Sequence, residues 1–157
     1  MVVNEILGNV KEYDTKGKVL DTVWLDWYEQ DKKLLKKTSD TGEEIGIRSQ
    51  KPLREDDVLY ADDNRILLVA ILPSELAVIE VKSMQEMGKV CFELGNRHLS
   101  LSIAEHEVRV PYDEPTFLYL QKLGFQVRKE TGKFTDYTVC HAHGTAHSHD
   151  SGHQHKV

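Results

Sequence analysis

Six of the eight histidines fall in the last seventeen residues of the chain, where they form three His-x-His pairs. The six are His141, His143, His147, His149, His153 and His155. Alternate residues of an extended chain point the same way, so each pair can present two imidazoles to one ion. Neutral imidazole binds zinc, copper, nickel and iron, and the pattern alone does not choose among them. The spacing predicts a transition-metal site whose affinity falls below neutral pH, because imidazoles titrate near about pH 6.5.

A seventh histidine, His98, comes directly after a predicted helix. A histidine just beyond a helix C-terminus is stabilised by the helix dipole when charged, by roughly 0.3–1 kcal/mol, and needs no other role. One imidazole is also too few ligands for a tight metal site. In a two-fold dimer with His98 near the axis, however, symmetry would supply two imidazoles and the tails could supply the rest. Both interpretations of His98 are open from the residues alone.

The helix that would position His98 covers residues 83–96. Ser83 can cap its first turn, with Glu86 reaching back to the Ser83 backbone N–H in a capping box. An apolar stripe at helical spacing is expected to face the core, formed by Met84, Met87, Val90, Cys91 and Leu94. Gly95 is expected to adopt the left-handed conformation that closes the helix. Such an exit would aim His98 at a partner.

The periodicity predicts an α+β fold in two domains. Residues 1–73 contain short alternating segments between turns and are predicted to form a small all-β domain, with strands at 2–7, 22–28, 33–38, 44–48 and 65–71. Residues 74–137 are predicted to contain strand 76–81, helix 83–96, strands 98–103 and 107–110, helix 116–123 and strand 125–129. This βαββαβ order is that of a ferredoxin-like domain.

The last residues, 138–157, are almost all small, polar or histidine. They cannot bury enough apolar surface to offset the entropy cost of ordering them. We therefore expect a disordered, His-rich C-terminal tail in the absence of a ligand.

Composition excludes several classes of partner. The 20 Lys and Arg residues are diluted by 26 Asp and Glu residues, and the net charge of −6 argues against a nucleic-acid partner. No basic segment followed by a long apolar one opens the sequence, and no eighteen apolar residues run together, so we expect a cytoplasmic protein with no membrane role. Two cysteines do not make a disulfide framework, and Cys91 is expected to be a small buried hydrophobe.

Three other interpretations of the histidines deserve weighing. A purification tag would be contiguous, whereas these histidines are interspersed with other residues. A metal-dependent hydrolase would need a fixed site, and the sequence contains no H-E-x-x-H, no G-x-S-x-G and no P-loop. A passive nickel or zinc storage protein would show many weak, equivalent sites in the tail, and the sequence leaves this alternative open.

The stretch MQEMGKVCFELGNRH at residues 84–98, the residues 99–110 that follow it and the His-rich tail resemble the urease accessory protein UreE family, which are nickel metallochaperones. The resemblance covers essentially the whole chain, including a first domain sometimes called peptide-binding. It implies a protein that is not an enzyme and that delivers Ni(II) to apo-urease together with accessory proteins, including a GTPase. Zn(II) and Cu(II) would be alternative ions in vitro.

The resemblance also assigns residues. In that family the histidine of the Gly-Asn-Arg-His motif, here His98, binds nickel at the interface of a homodimer. The histidines of Gly-His-Gln-His, here His153 and His155, match a tail motif that completes the metal site in some members. Other members carry further histidines after the third strand of the second domain. This chain has none at residues 112–114, so we do not expect that auxiliary site.

Overall fold

The structure is a computed structural model that describes residues 1–139. Residues 1–73 form seven strands: β1 (Val2–Val3), β2 (Gly8–Asn9), β3 (Val19–Leu25), β4 (Leu34–Thr38), β5 (Glu44–Arg48), β6 (Asp57–Ala61) and β7 (Arg65–Ile71). They make two sheets, ordered β1-β5-β4 and β2-β6-β7-β3. Apolar residues from both sheets form one buried core, including Val23, Ile45 and Leu67. The predicted N-terminal all-β unit is confirmed.

Some strand predictions in this half were wrong in their bounds. Residues 2–7 do not form one strand. The short strand β1 pairs with β5, and β2, which follows it, pairs with β6 in the other sheet. The strand predicted at 22–28 stops at Leu25, because a 3-10 helix follows at Trp27–Glu29. We did not predict strand β6, because the charged residues on both sides of it are typical of turns. Its residues Val58 and Leu59 are nevertheless buried.

The second half contains β8 (Ser74–Glu80), α1 (Met84–Asn96), β9 (Ser102–Ile103), β10 (Glu107–Pro111), α2 (Glu114–Lys122) and β11 (Val127–Gly132). The sheet has the order β11-β8-β10-β9, and every neighbouring pair is antiparallel. The strand β10 therefore lies between β8 and β9, and β8 lies between β10 and β11. Two βαβ units that are split in this way make the ferredoxin-like arrangement. The predicted βαββαβ fold is confirmed.

The helix α1 begins as its sequence predicts. The Ser83 side chain accepts a hydrogen bond from the Glu86 backbone N–H at 3.1 Å. The Glu86 carboxylate, however, accepts from the backbone N–H of Lys82 at 3.2 Å rather than from that of Ser83. Val90 and Leu94 are buried against the sheet, whereas Met84 is 91% exposed and does not belong to the core stripe. Met87 and Cys91 are partly buried against the same core, so the predicted stripe is covered from Met87 onwards.

The chain after β11 returns to the N-terminal half. Phe134 is 1% exposed and packs with Leu76 and Val78 of β8, on the side of the sheet that the helices do not cover. Its ring contacts Trp27 edge-on at 5.2 Å and stacks on Tyr137 at 4.8 Å. We call Trp27, Phe134 and Tyr137 the aromatic junction. It joins the two halves of the molecule.

Within residues 1–139, no helix is long and apolar enough to cross a membrane. The predicted disorder of the tail concerns residues that, apart from Thr138 and Val139, lie outside the described part of the chain.

Candidate functional site

The end of α1 has a defined hydrogen-bonding pattern. The Leu99 backbone N–H donates to Leu94 O at 3.3 Å, and the His98 N–H donates to Gly95 O at 3.0 Å. These are the two bonds of a Schellman motif, in which Leu99 also packs with the same apolar cluster as Leu94. The helix therefore ends with its last carbonyls satisfied and its exit direction fixed.

His98 occupies the left-handed position of this motif, with a φ of 55°. We had expected Gly95 to take that conformation, but Gly95 lies inside the helix. The prediction was wrong because Leu99 must reach the apolar cluster, which sets the end of the helix three residues later. Glycine usually fills this position, since a Cβ there is crowded by the following carbonyl.

The left-handed conformation of His98 costs roughly 1–2 kcal/mol relative to glycine. Non-glycine residues held in such conformations cluster at functional sites, where the surrounding structure over-determines them. The His98 side chain is exposed at this exit. The fold therefore presents an imidazole at a position where glycine would cause less backbone strain.

Arg97 ties the end of α1 to the start of α2. Its Nε donates to Thr116 Oγ1 at 3.2 Å, and the Thr116 hydroxyl in turn donates to Asp113 Oδ2 at 2.7 Å. Asp113 also accepts the Thr116 backbone N–H and thereby caps α2. Hydrogen bonds from the Thr116 side chain and backbone lower the pKa of the Asp113 carboxyl. We call Arg97, Thr116 and Asp113 the interhelix clamp.

The outer side of this clamp is aromatic. The Arg97 guanidinium lies over the Tyr119 ring at 5.1 Å, and the Tyr119 hydroxyl donates to Glu93 Oε2 at 2.9 Å. The hydrogen bond to the Glu93 carboxylate raises the pKa of Tyr119. A residue on each side of His98 is therefore held, Arg97 by α2 and Leu99 by the core.

A cavity of about 400 Å³ adjoins His98. Ser100 and Asp113 line it beside the histidine, and Trp27 of the N-terminal half closes one side. The histidine thus lies where the two halves of the molecule meet, next to a partly polar space large enough for further groups to approach.

The strand predicted at 98–103 is mostly absent. Only Ser102–Ile103 pairs as β9, while Leu101 makes a single antiparallel bridge with Thr138. Ile103 is 54% exposed. His98 consequently lies on a helix exit followed by a loop, and not on a sheet face.

Among the described residues 1–139, no group of three or more His, Cys, Asp and Glu side chains is placed to hold a metal ion. Of the predicted metal ligands, only His98 lies in this part of the chain. The other six, His141, His143, His147, His149, His153 and His155, lie outside the described residues. Their proximity to His98 stays a prediction.

The other two candidate side chains behave as ordinary surface and core residues. His106 is 80% exposed in a turn beside Glu105. Cys91 packs against the core, its Sγ lies 3.7 Å from Met87 Sδ, and burial raises the pKa of its thiol. A neutral, packed thiol agrees with the expectation of a small buried hydrophobe.

Sequence reasoning missed the interhelix clamp and the aromatic junction. Asp113 followed by Pro115 and Thr116 is a recognisable helix start, which could have placed the beginning of α2. Nothing in the sequence pairs Arg97 with Thr116, or Trp27 with Phe134, because these contacts join distant segments.

Comparison with known proteins covers nearly the whole chain. The profile of the UreE urease accessory protein N-terminal domain matches residues 3–72, and that of the C-terminal domain matches residues 74–156. The urease accessory protein UreE of Flavobacterium johnsoniae is 36% identical over 154 residues, which cover 96% of this chain and 93% of that protein.

Two further relatives carry the same name. UreE of Acetivibrio thermocellus is 40% identical over 151 residues, covering 95% of this chain and 99% of that protein. UreE of Actinobacillus pleuropneumoniae is 40% identical over 135 residues, covering 82% and 72% respectively. With both domain profiles matched in order, the chain belongs to the UreE family of urease accessory proteins, which are chaperones and not catalytic enzymes.

Proposed function

We propose that this protein is a nickel metallochaperone that delivers Ni(II) to apo-urease. One observation carries the proposal. His98 holds a left-handed conformation at the exit of α1, with its imidazole exposed and both neighbouring residues held in place. Membership of a urease accessory family supports nickel as the cargo, because it links the chain to urease maturation.

A single imidazole leaves most coordination positions of the ion to other groups. We propose that two copies of the chain form a homodimer that brings two His98 side chains to one ion. Tail histidines, His153 and His155 among them, would supply further nitrogen ligands. Neutral imidazoles suit Ni(II) and also bind Zn(II) and Cu(II), so those ions should compete in vitro.

Delivery requires a site that takes up the ion and releases it again. A metal held partly by residues of a tail can be passed on by exchanging one ligand at a time, more readily than from a closed four-ligand cage. The receiving partners would be urease and its other accessory proteins, including a GTPase, and the exchange would take place in the cytoplasm.

Nickel titration by calorimetry, with the oligomeric mass followed alongside, tests the proposal. His98→Ala should remove the tightest site and leave weaker binding by the tail. His106→Ala is the matched control, since it removes another exposed histidine of the same half and should leave the tight site unchanged.

The alternative function is passive nickel or zinc storage, which the number of tail histidines favours. Replacing all six tail histidines by alanine separates the two functions. A tight site that survives and still depends on His98 would support the chaperone. Loss of all binding, with no effect of His98→Ala in the intact tail, would support storage and contradict the proposal.

A further inference from the structure

Three sulfur-bearing side chains lie along one stripe of α1, in the part of the helix that is farther from His98. Met84, Met87 and Cys91 follow one another at intervals of three and four residues, the spacing that places side chains next to each other on a helix surface. Cys91 comes seven residues before His98, which corresponds to about 10 Å along a helix axis. We call Met84, Met87 and Cys91 the sulfur stripe. It is separate from the proposed nickel ligand.

Two of these sulfur atoms lie as close together as two ligands of one metal ion. The Cys91 Sγ lies 3.7 Å from the Met87 Sδ. Two sulfurs that bind one ion at about 2.3 Å each, with a tetrahedral angle between the bonds, are separated by about 3.8 Å. The same distance is an ordinary contact between packed side chains, so it permits a shared ion without requiring one.

The third sulfur is free to approach such an ion. The Met84 residue is 91% exposed and contributes little to the core. Methionine is unbranched and has a polarizable thioether, so it adapts its shape to a partner. At an interval of three residues, helical Cβ atoms are about 5–6 Å apart, which a methionine side chain spans easily. Met84 can therefore turn onto an ion held by Met87 and Cys91 without movement of the backbone.

The stripe also has space beside it. A cavity of about 400 Å³ is lined by Met84 and Met87 on one side and by the turn at residues 104–106 on the other. The Val81 backbone N–H donates to His106 O at 2.8 Å, which holds this turn next to the start of α1. An ion can therefore reach the two thioethers from this cavity.

The chemistry of the donors decides which ion fits. Thioether and thiolate ligands are soft and select Cu(I), whereas imidazole suits Ni(II) and Zn(II). Burial raises the pKa of the Cys91 thiol, so the sulfur keeps its proton until an ion arrives. Binding forms a sulfur–copper bond, breaks the S–H bond and releases the proton to solvent. Neither copper nor sulfur changes its oxidation state.

We propose that Met84, Met87 and Cys91 form a Cu(I) site on α1. This site goes beyond the proposed nickel function and does not depend on it. Because its donors are soft, it would hold copper away from the imidazole that we propose as a nickel ligand, and the two ions would occupy different parts of the same helix.

Methionine methyl NMR of the full-length protein tests the site directly, because the chain contains only three methionines. The probe is Cu(I), added without oxygen and with a reductant that keeps it in this oxidation state. The first equivalent should shift the methyl signals of Met84 and Met87 and leave the signal of Met1 in place. If the Met84 and Met87 signals do not move, the inference is wrong.

Competition with a chromogenic Cu(I) chelator measures the affinity. Cys91→Ser should weaken the site at least about tenfold, because losing a ligand costs no less than losing a group that only orients one. Cys140→Ser is the matched control, since it removes the only other cysteine of the chain. It should leave the methyl shifts of Met84 and Met87 unchanged. Loss of these shifts in Cys140→Ser, with none in Cys91→Ser, would overturn the assignment.

Met84→Leu separates copper binding from folding, because Met84 is exposed and leucine has a similar volume. This variant should unfold at the same temperature as the wild type and bind Cu(I) about tenfold more weakly. Equal copper affinity in the wild type, Cys91→Ser and Met84→Leu would show that the contact between Met87 and Cys91 is core packing only.

The copper site and the nickel site can fail separately. His98→Ala should leave the copper-induced shifts of Met84 and Met87 in place, whatever it does to nickel binding. Loss of those shifts in His98→Ala would contradict a separate copper site.

Discussion

At the scale of single residues, His98 combines strain with exposure. Its φ of 55° is the conformation that glycine adopts freely at the end of a Schellman motif, and the motif is complete in its hydrogen bonds. A histidine in that position lowers the stability of the fold and places an imidazole at the surface. We infer that stability and metal binding are in conflict at this position.

His98→Gly should raise the free energy of unfolding by about 1 kcal/mol, because glycine adopts the left-handed conformation without steric cost. The same change should abolish the tight nickel site that we propose at His98. Urea unfolding and nickel titration of the same preparation measure the two effects.

Asp56→Gly is the matched control, since Asp56 also has a positive φ, 66°, and lies in the N-terminal half. It should gain comparable stability and keep nickel binding. A gain in Asp56→Gly without one in His98→Gly would show that contacts of the His98 side chain offset the strain.

At the scale of elements, the interhelix clamp fixes the two helices that flank the exit. Thr116 is 2% exposed, and its hydroxyl is the link that both accepts from Arg97 and donates to Asp113. A buried hydroxyl with two partners contributes through both bonds, so its loss removes the hydrogen bond to Arg97 Nε and leaves Asp113 with only the Thr116 backbone N–H. The clamp therefore couples the residue next to His98 to the first turn of α2.

Thr116→Val keeps the shape of the side chain and removes this link. We expect destabilisation by about 1–2 kcal/mol. The pKa of the Asp113 carboxyl should rise, because the Thr116 hydroxyl is the largest cause of its depression. NMR titration of Asp113 and urea unfolding measure the two changes.

Thr131→Val serves as the comparison, because Thr131 is exposed on β11. It should change stability by less than about 0.5 kcal/mol and leave the Asp113 pKa where it is. An unchanged Asp113 pKa in Thr116→Val would mean that the backbone N–H bond alone sets it.

At the scale of the whole molecule, hydrogen bonds between the buried Asp21 and Thr41 join the two sheets of the N-terminal half. Asp21 of β3 is fully buried and accepts from Arg65 Nη2 at 2.6 Å and from Thr41 Oγ1 at 2.8 Å. Burial opposes ionisation of Asp21, but hydrogen bonds from Ser39, Thr41 and Arg65 outweigh it and lower the pKa to about 2. The turn between β4 and β5 is thereby tied to the second sheet.

Asp21→Asn should destabilise the protein by about 2 kcal/mol at pH 7, because the hydrogen bonds of Arg65 and Thr41 to a charged carboxylate are lost, while Arg65 keeps Glu43 as an ion-pair partner. A carboxyl whose folded pKa lies below its unfolded value of about 3.9 stabilises the fold above that value, and loses this effect as the pH falls towards 2. The difference between wild type and Asp21→Asn should therefore shrink between about pH 4 and pH 2 in urea unfolding.

Asp63→Asn provides the control, since Asp63 is an exposed carboxylate in the turn before β7. It should leave stability nearly unchanged at every pH. A deficit of Asp21→Asn that stays constant down to pH 2 would contradict the lowered pKa of Asp21.

The sequence by itself determined the features that depend on near neighbours. Ser83 and Glu86 marked the start of α1. The alternation of polar and apolar residues predicted β5 and β7 with the bounds that the structure shows. The order of strands and helices was enough to identify the ferredoxin-like half, because few topologies fit βαββαβ. The position of His98 after the helix left two interpretations open, and the resemblance to the UreE family made it a candidate nickel ligand, which stays a prediction.

Only the tertiary structure decided how these pieces meet. Gly95 and His98 were both available for the left-handed position, and the contact of Leu99 with the core selected His98. Phe134 bonds to Gln30 across 104 residues of sequence, a separation at which neighbouring residues carry no signal of the pairing. Local patterns specify secondary structure because its hydrogen bonds span a few residues. The exit of α1 and the start of the tail depend instead on packing between distant segments.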